Sequence, residues 1–320
     1  MTKKVYRVRN WRQYNKALCH RGSLTFWFSA KVLSGWKEDR SSWRHGNQVY
    51  TDMFILSALT LRQIYRLPLR ATTGLMSSII QLLKRSDKVA HYSTLCRRAR
   101  SLHVSLAVKH SERARHVLID STGVQVIGES EWKYFKYGVK KCRYQTWKKL
   151  HITMDAETQE ILSATMTDSI NLDSNSLPDL VQAIPGKISQ ITGDGAYDKK
   201  NCYQSAHERN AKPVFPPQHN ASLQRNKYKK NLSLLARDKI IEEIGRGRTP
   251  ERHERLRLWK KANQYHRRSL VETAMFRLKS LFGDQMRSRH PLNQLTDLLI
   301  RCYAMNRITA LGMPDSEPIN

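Results

Sequence analysis

Apolar residues recur along the chain with two different spacings, and the change falls near residue 110. Before it, helical spacing predicts helices at 52–65, about 70–84 and 94–102, with Thr51 and Ser93 as caps of the first and third. After it, apolar runs predict strands at 115–120, 150–156, 161–167, 188–192 and 212–215. Helices are predicted at 179–184, 198–210, 234–244, 265–282 and 292–311. Strands followed by alternating helices and strands predict an α/β layer fold.

The three early helices have the spacing of a helix-turn-helix unit. In that interpretation the third helix offers its arginines, Arg97, Arg98 and Arg100, to DNA. Many small helical bundles share this spacing, so a plain bundle stays the alternative.

Two aspartates follow apolar strands of the second region. Asp120 ends the run RHVLID, and Asp194 comes just past ISQIT between Gly193 and Gly195, where small residues allow a close approach. Neighbouring strands would bring both carboxylates to one edge of the sheet. Each aspartate could equally cap a turn, with Asp198 as a structural partner of Asp194.

The segment YHRRSLVETAMFRLKSLF, residues 265–282, supplies a third carboxylate. At helical spacing Tyr265, Arg268, Glu272 and Lys279 share one face, and the apolar side chains gather on the other. The simple alternative is a surface helix with an Arg268–Glu272 ion pair. With Asp120 and Asp194, Glu272 would give the hard oxygen ligands that two Mg²⁺ or Mn²⁺ ions need for phosphoryl transfer.

Charge favours a polyanionic partner. Among 320 residues, 56 Lys and Arg stand against 27 Asp and Glu, a net charge of +29 spread along the chain. Nucleic acid is favoured over a membrane, because no stretch is apolar and long enough to span a bilayer. The five cysteines are scattered without C-x-x-C spacing, which predicts reduced thiols in an intracellular setting.

Rival chemistries lack their motifs. The chain has no G-x-x-x-x-G-K-[ST] loop, no H-x-H pair and no zinc-ligand spacing. A tyrosine recombinase would need a late His-x-x-Arg, and the His110–Arg113 spacing comes too early. The sequence therefore does not favour an ATP motor, a tyrosine nickase or a tyrosine recombinase.

The chain resembles bacterial insertion-sequence transposases of the DDE type, in particular the insertion sequence 5 family and its insertion sequence 903-like branch. The resemblance rests on YNKALCHRGSLTFWF, LTLRQIYRLPLRATTG, DSTGVQVIGESEW, GDGAYD and SLVETAMFRLKSLFG, and covers nearly the whole length. Its most specific feature is the spacing Tyr265-x2-Arg268-x3-Glu272-x6-Lys279.

The resemblance implies a ribonuclease-H-like catalytic domain at 111–315, with a basic insertion at about 219–262, after a mainly helical, helix-turn-helix-like DNA-binding domain at 1–110. It implies that Asp120, Asp194 and Glu272 bind two divalent cations, Mg²⁺ or Mn²⁺, and that Tyr265, Arg268 and Lys279 position DNA phosphates. The expected partners are double-stranded DNA, as element ends and target, and a second copy of the chain. The expected setting is the prokaryotic cytoplasm, at the nucleoid. A catalytically silent DNA-binding repressor and a stand-alone metal-dependent nuclease are the alternatives.

Overall fold

The computed structural model describes residues 5–37, 50–106, 108–127, 147–223 and 232–319. Among these residues, one short strand and a run of helices precede residue 105, and strands and helices alternate after it. The first elements are β1 (Val5–Val8), α1 (Trp11–Arg21), α2 (Leu24–Trp27), α3 (Ala30–Ser34), α4 (Asp52–Ile64), α5 (Leu69–Leu82) and α6 (Tyr92–Ala99). Then come β2 (Arg115–Val126), β3 (Trp147–Asp155), β4 (Ile161–Asp168), α7 (Leu177–Gln182), β5 (Ile188–Thr192), α8 (Lys200–Glu208), β6 (Lys212–Val214), α9 (Leu232–Ile244) and α10 (Pro250–Ala262). The last elements are α11 (Ser269–Phe282), β7 (Gln285–Met286), α12 (Pro291–Leu311) and β8 (Ser316–Ile319).

The chain forms two units, and its end belongs to the first. The first unit holds residues 1–105 and 290–320, and the second holds residues 106–289. In the first unit, the long helix α12 is tied to α4 by a buried Arg62–Asp297 ion pair of 2.7 Å and by a bond from Arg301 to Gln63. The predicted catalytic domain, 111–315, includes this helix. The apolar spacing of a helix predicts its buried face but does not identify the element that packs against it.

Helix starts in the first unit show what local sequence can and cannot specify. Thr51 caps α4 by accepting a hydrogen bond from the Phe54 amide, as its position predicts. Ser93 does not cap α6, which begins after His91, and the Ser93 hydroxyl pairs with the His91 ring instead. The helical content is present, while the helix-turn-helix interpretation stays a prediction.

A mixed sheet organises the second unit. Its strands lie in the order β4-β3-β2-β5-β6, with β2, β3 and β4 antiparallel and β5 and β6 parallel to β2. This mixed α/β architecture is consistent with the ribonuclease-H-like fold that the resemblance implies. The predicted strands are present, and a short turn joins β3 to β4. The basic residues at 133–149 suggest a further hairpin from the sequence, but most of that segment lies outside the described residues.

The core of the second unit fills one face of this sheet. Val117 and Ile119 on β2 pack there with apolar residues of β5, β6 and the helices α7–α10. Gly193 belongs to this packing, because a Cβ there would lie 2.7 Å from a ring carbon of Tyr197. The sequence predicts that this glycine allows a close approach, and in the structure the group that lies close to it is the Tyr197 ring.

The described part of the basic segment at 219–262 contains two helices. α9 starts at Leu232, close to the predicted start, and ends before Gly245. α10 was not predicted, and it starts after Thr249, whose hydroxyl accepts from the Arg252 amide. No helix in the described part of the chain is long and apolar enough to cross a membrane.

Candidate active site

Strand pairing brings Asp120 and Asp194 to the same level of the sheet. The last residue pair of the ladder between β2 and β5 is Leu118 with Thr192, and each aspartate lies two residues further along its strand or loop. Asp120 does not end its strand as predicted, since β2 continues to Val126. Beyond β5, the same edge of β2 is next paired by β7 at Gln125. The two carboxylates therefore lie at a gap between two parallel neighbours of β2.

Each aspartate uses one carboxylate oxygen to accept a hydrogen bond from a backbone amide one or two residues further along the chain. Asp120 Oδ1 accepts from the Ser121 amide at 2.8 Å, and Asp194 Oδ1 accepts from the Ala196 amide at 2.9 Å. The turn-capping alternative is thus correct for Asp194, which caps a 3₁₀ turn at Gly195–Tyr197. Its second oxygen accepts no hydrogen bond within the described residues, so this cap leaves one oxygen of a half-buried carboxylate for a ligand.

Arg268 joins Asp120 to Glu272. One guanidinium nitrogen lies 3.0 Å from Asp120 Oδ2, and the other lies 2.7 Å from Glu272 Oε1. The i,i+4 pair predicted from the spacing is present, but the same guanidinium also reaches the sheet. Asp120 and Arg268 are 18% and 19% exposed, against 55% for Glu272. Water therefore has access to the group from the Glu272 side.

The helix that carries these residues is made of two parts. Tyr265–Arg268 is a 3₁₀ turn, and the α-helix α11 starts at Ser269. The buried residues of α11, which include Val271, Ala274 and Leu278, form the apolar face that the spacing predicts. Glu272 and Lys279 lie two turns apart on the opposite face, about 10 Å along the axis.

Burial and charge act in opposite directions at Asp120. Burial raises the pKa of Asp120, and the nearby Asp194 charge raises it further, while the Ser121 amide and Arg268 lower it. Burial lowers the pKa of Arg268, but the charges of Tyr265, Asp120 and Glu272 outweigh that effect and raise it. Arg268 therefore stays a cation that offsets the repulsion between carboxylates.

Tyr265 and Lys279 lie on either side of this group along the chain. The Tyr265 ring packs against the core, and the Lys260 ammonium lies 5.0 Å from its centre. Burial raises the pKa of the Tyr265 phenol, against the opposing effect of Arg268. Lys279 forms no ion pair within the described part of the chain, so its charge is not neutralised there.

Asp198 has a different partner from the one predicted. Its two oxygens accept from Arg237 Nε and Nη2 at 2.7 and 2.9 Å, and Tyr203 donates to it as well. This pair joins α9 to the start of α8, and it makes no contact with Asp194. It fastens the basic insertion to the core.

The predicted arginines of the first unit separate into two kinds. Arg98 donates to the Tyr50 carbonyl at 2.7 Å and pairs with Asp52, so it holds the start of α4. Arg97 and Arg100 are exposed and form no ion pair within the described residues. This geometry leaves Arg97 and Arg100 accessible, and it gives Arg98 a structural partner.

Sequence reasoning missed a fourth carboxylate near the pair. Asp173 lies in the 3₁₀ turn Asp173–Asn175, 2.8 Å from the Lys149 ammonium. Its charge raises the pKa of Tyr197 together with the charges of Asp120 and Asp194, after the larger effect of burial. Nothing in the local sequence signals this proximity, which comes from folding β3 and the loop after β4 onto each other.

The chemistry of the carboxylate donors fits hard divalent cations. Carboxylate oxygens are the ligands that Mg²⁺ and Mn²⁺ prefer, and Asp194 has an oxygen to spare. Within the described residues, however, no three His, Cys, Asp or Glu side chains are gathered closely enough to hold a metal ion. The Arg268 guanidinium lies between Asp120 and Glu272 and balances their charge in this arrangement.

Comparison with protein-family models identifies the family of the chain. A family model described as "Transposase DDE domain" matches residues 111–307, and a second model with the same description matches residues 19–129. The first match covers more than half of the chain and contains Asp120, Asp194 and Glu272. No solved structure matches the chain significantly. The chain belongs to the DDE transposase family, which implies metal-dependent polynucleotidyl transfer.

Proposed function

We propose that this transposase acts on the ends of an insertion sequence of the insertion sequence 5 family, in its 903-like branch. It binds the terminal inverted repeats, cleaves the element ends and joins the freed 3′-OH ends to target DNA. In the first step water attacks a phosphodiester and a 3′-OH leaves. In the second that 3′-OH attacks a target phosphodiester, and the target 3′-oxygen leaves.

The observation that carries the proposal is the single guanidinium that contacts carboxylates from two separate elements. Arg268 reaches Asp120 on β2 and Glu272 on α11, at the gap where Asp194 also lies. A purely structural salt bridge would not need a second carboxylate, an uncommitted third one or access to water. A site that handles phosphate and cations needs all of them.

Asp120, Asp194 and Glu272 would hold the divalent cations, Mg²⁺ or Mn²⁺, two for each site. When bound, such ions activate the attacking oxygen and stabilise the leaving one. Glu272 is the most exposed of the three, so its side chain can turn from Arg268 at least cost.

Arg268 has two roles in this scheme. In the free protein it neutralises Asp120 and Glu272. With DNA bound, its guanidinium would turn to a phosphate beside the scissile bond, where a planar fork matches two oxygens. Lys279 would add a second cation further along the same face, and Tyr265 would hydrogen-bond a phosphate or stack beside it.

The net charge of +29 supports binding of double-stranded DNA by surfaces outside the catalytic site. We assign the inverted repeats to the helical first unit, which carries Arg97 and Arg100. Pairing two element ends calls for a homodimer in the working complex, acting on the bacterial nucleoid in the cytoplasm.

A strand-transfer assay tests the proposal against its two alternatives. A labelled, pre-cleaved element end is incubated with supercoiled plasmid, the protein and Mg²⁺. The proposal predicts joined products. A nuclease would hydrolyse DNA without joining it, and a silent repressor would bind the end and do neither.

A further inference from the structure

A pocket of about 680 Å³ opens in the first unit, between the starts of α5 and α6. Arg70, Arg97 and Arg100 line it together with Tyr92, Leu69 and Cys96. Its volume lies in the range of sites that take a small molecule or a single nucleotide. All of its lining residues belong to the first unit.

The three arginines of this pocket have no carboxylate partner in the described part of the chain. Some other arginines of the first unit do have carboxylate partners, as Arg62 has Asp297 and Arg98 has Asp52. Three unneutralised guanidinium groups around one concavity make it strongly electropositive. The chemistry therefore calls for an anionic ligand, and phosphate oxygens match the guanidinium fork best.

One wall of the pocket is planar. The Arg70 guanidinium carbon lies 4.7 Å from the centre of the Tyr92 ring, which is the distance of a cation–π stack. Guanidinium and phenol planes are the surfaces on which unpaired nucleobases stack. Leu69 and Cys96 add apolar lining, which a phosphate alone does not require.

We propose that this pocket binds one unpaired nucleotide of DNA, with the base against the Tyr92–Arg70 wall and the phosphate against Arg97 and Arg100. A paired base is stacked inside the duplex and cannot enter a pocket, whereas an unpaired one can. Arg97 and Arg100 then line a nucleotide site, instead of projecting from a recognition helix. The proposal rests on the proposed function only for the source of the unpaired nucleotide, at cleaved or distorted element ends.

Cys96 provides a direct test, because its thiol lines the pocket. The full chain is treated with a limiting alkylating reagent, and modification of Cys96 is followed by mass spectrometry, with the exposed Cys19 as internal control. Single-stranded DNA should slow modification of Cys96 about tenfold, and a free deoxynucleoside monophosphate at millimolar concentration should also slow it, leaving Cys19 unchanged. Equal protection by blunt duplex would indicate a backbone site, and equal protection by inorganic phosphate a bare anion site. Either result, or no protection by single strands, would overturn the proposal.

Matched charge variants provide the second test. One variant carries Arg70→Gln, Arg97→Gln and Arg100→Gln, and the control carries Arg7→Gln, Arg12→Gln and Lys16→Gln, which removes the same charge from exposed positions of the same unit. The affinity of both variants is measured for a single-stranded oligonucleotide and for the same oligonucleotide with abasic residues. The pocket variant should lose about tenfold in affinity and no longer distinguish the two oligonucleotides, while the control should keep the distinction. Equal behaviour of the two variants would contradict the proposal.

Tyr92→Phe and Tyr92→Ala separate the planar wall from the charge. Phe keeps the ring and should retain the preference for the intact oligonucleotide, and Ala should lose it. Asp120→Ala should keep Cys96 protection. If strand transfer is absent while Cys96 protection persists, the proposed function fails and the nucleotide pocket stands.

Discussion

Two carboxylate–guanidinium groups in the second unit show how burial and the number of partners separate a fastening from a reactive group. In Asp198–Arg237 the side chains are 5% and 11% exposed, and both carboxylate oxygens are bound by the guanidinium. In Asp120–Arg268–Glu272 one guanidinium serves two carboxylates, which are 18% and 55% exposed. In the sequence Asp120 ends one apolar run and Asp198 comes six residues after another, so the local pattern does not distinguish the two groups.

In the buried Asp198–Arg237 pair both carboxylate oxygens already accept hydrogen bonds and water is excluded, so no oxygen remains to bind a ligand. Loss of the Arg237 side chain would leave the buried Asp198 carboxylate without a counter-charge. Loss of the Arg268 side chain should lower the free energy of unfolding only slightly, because water can reach the carboxylates from the exposed Glu272 side. The comparison predicts that Arg237 contributes mainly to stability and Arg268 mainly to activity.

The largest expected effect is on DNA cleavage. Asp120→Ala or Asp194→Ala should lower the rate of element-end cleavage at least about a thousandfold, because each removes a carboxylate from the reaction centre. Cleavage of a labelled end is measured beside a gel-shift assay, which should show end binding largely intact. Asp168→Ala, at the exposed end of β4, is the control and should cleave normally. Near-normal cleavage by either site variant would remove that residue from the site.

The next effect is on stability, and it compares the two arginines directly. Arg237→Ala should lower the free energy of unfolding by about 3 kcal/mol, because it leaves Asp198 buried without a counter-charge. Arg268→Ala should lower it by about 1 kcal/mol or less, because its group is open to water. Urea unfolding of both variants gives the two values. A reversed order would break the comparison between the two groups.

A third test uses burial without a charge partner. His116 on β2 is 8% exposed and its Nε2 pairs with the Thr192 hydroxyl at 2.9 Å. Burial, with the Arg267 charge, lowers the pKa of His116 to about 4. In the unfolded chain His116 binds a proton near pH 6.5, whereas in the folded chain it does so only near pH 4. The free energy of unfolding therefore decreases as the pH falls from about 6.5 toward 4.

At pH 5 this contribution should amount to about 2 kcal/mol relative to pH 7.5. His116→Gln cannot titrate, so it should lose that much less stability over the same interval. Urea unfolding at the two pH values measures the difference between wild type and variant. Identical pH dependence of the two proteins would mean that His116 titrates alike in both states.

The smallest effect is on cation binding without DNA. Arg268→Gln frees Asp120 and Glu272, so the affinity for Mn²⁺ should rise about twofold to fivefold. Isothermal titration calorimetry measures it, with Arg257→Gln, whose exposed Glu254 pair lies on α10, as control. Weaker binding by Arg268→Gln would show that Arg268 helps to hold the site instead of competing for it.

Local patterns in the sequence carried much of the fold. Apolar runs located β3 and β4 within a few residues, and helical spacing identified the buried face of α11. The position of Asp120 and Asp194 after two strands led to the expectation that they meet, and the parallel pairing of β2 and β5 places them at one level. The strand positions and the buried helix face depend on residues close together in the chain, and the meeting of the two aspartates rested on the further assumption that their strands are neighbours.

Features that depend on distant partners could not be predicted. Arg237 lies 39 residues after Asp198, and Asp297 lies 235 residues after Arg62. Periodicity fixes the face that a helix buries, but it does not select the surface that covers it, so the contacts between α12 and α4 were not predicted. The Arg70–Tyr92 wall of the pocket was missed for the same reason.

Glu272 is the proposed metal ligand with the plainest alternative role, because its ion pair with Arg268 could serve only to stabilise the helix. The decisive measurement is strand transfer of a pre-cleaved element end by Glu272→Ala with Mg²⁺, beside the wild type. We predict joined product for the wild type and none for the variant, with end binding retained by both. Joined product from Glu272→Ala at the wild-type level would show that Glu272 is only the partner of Arg268.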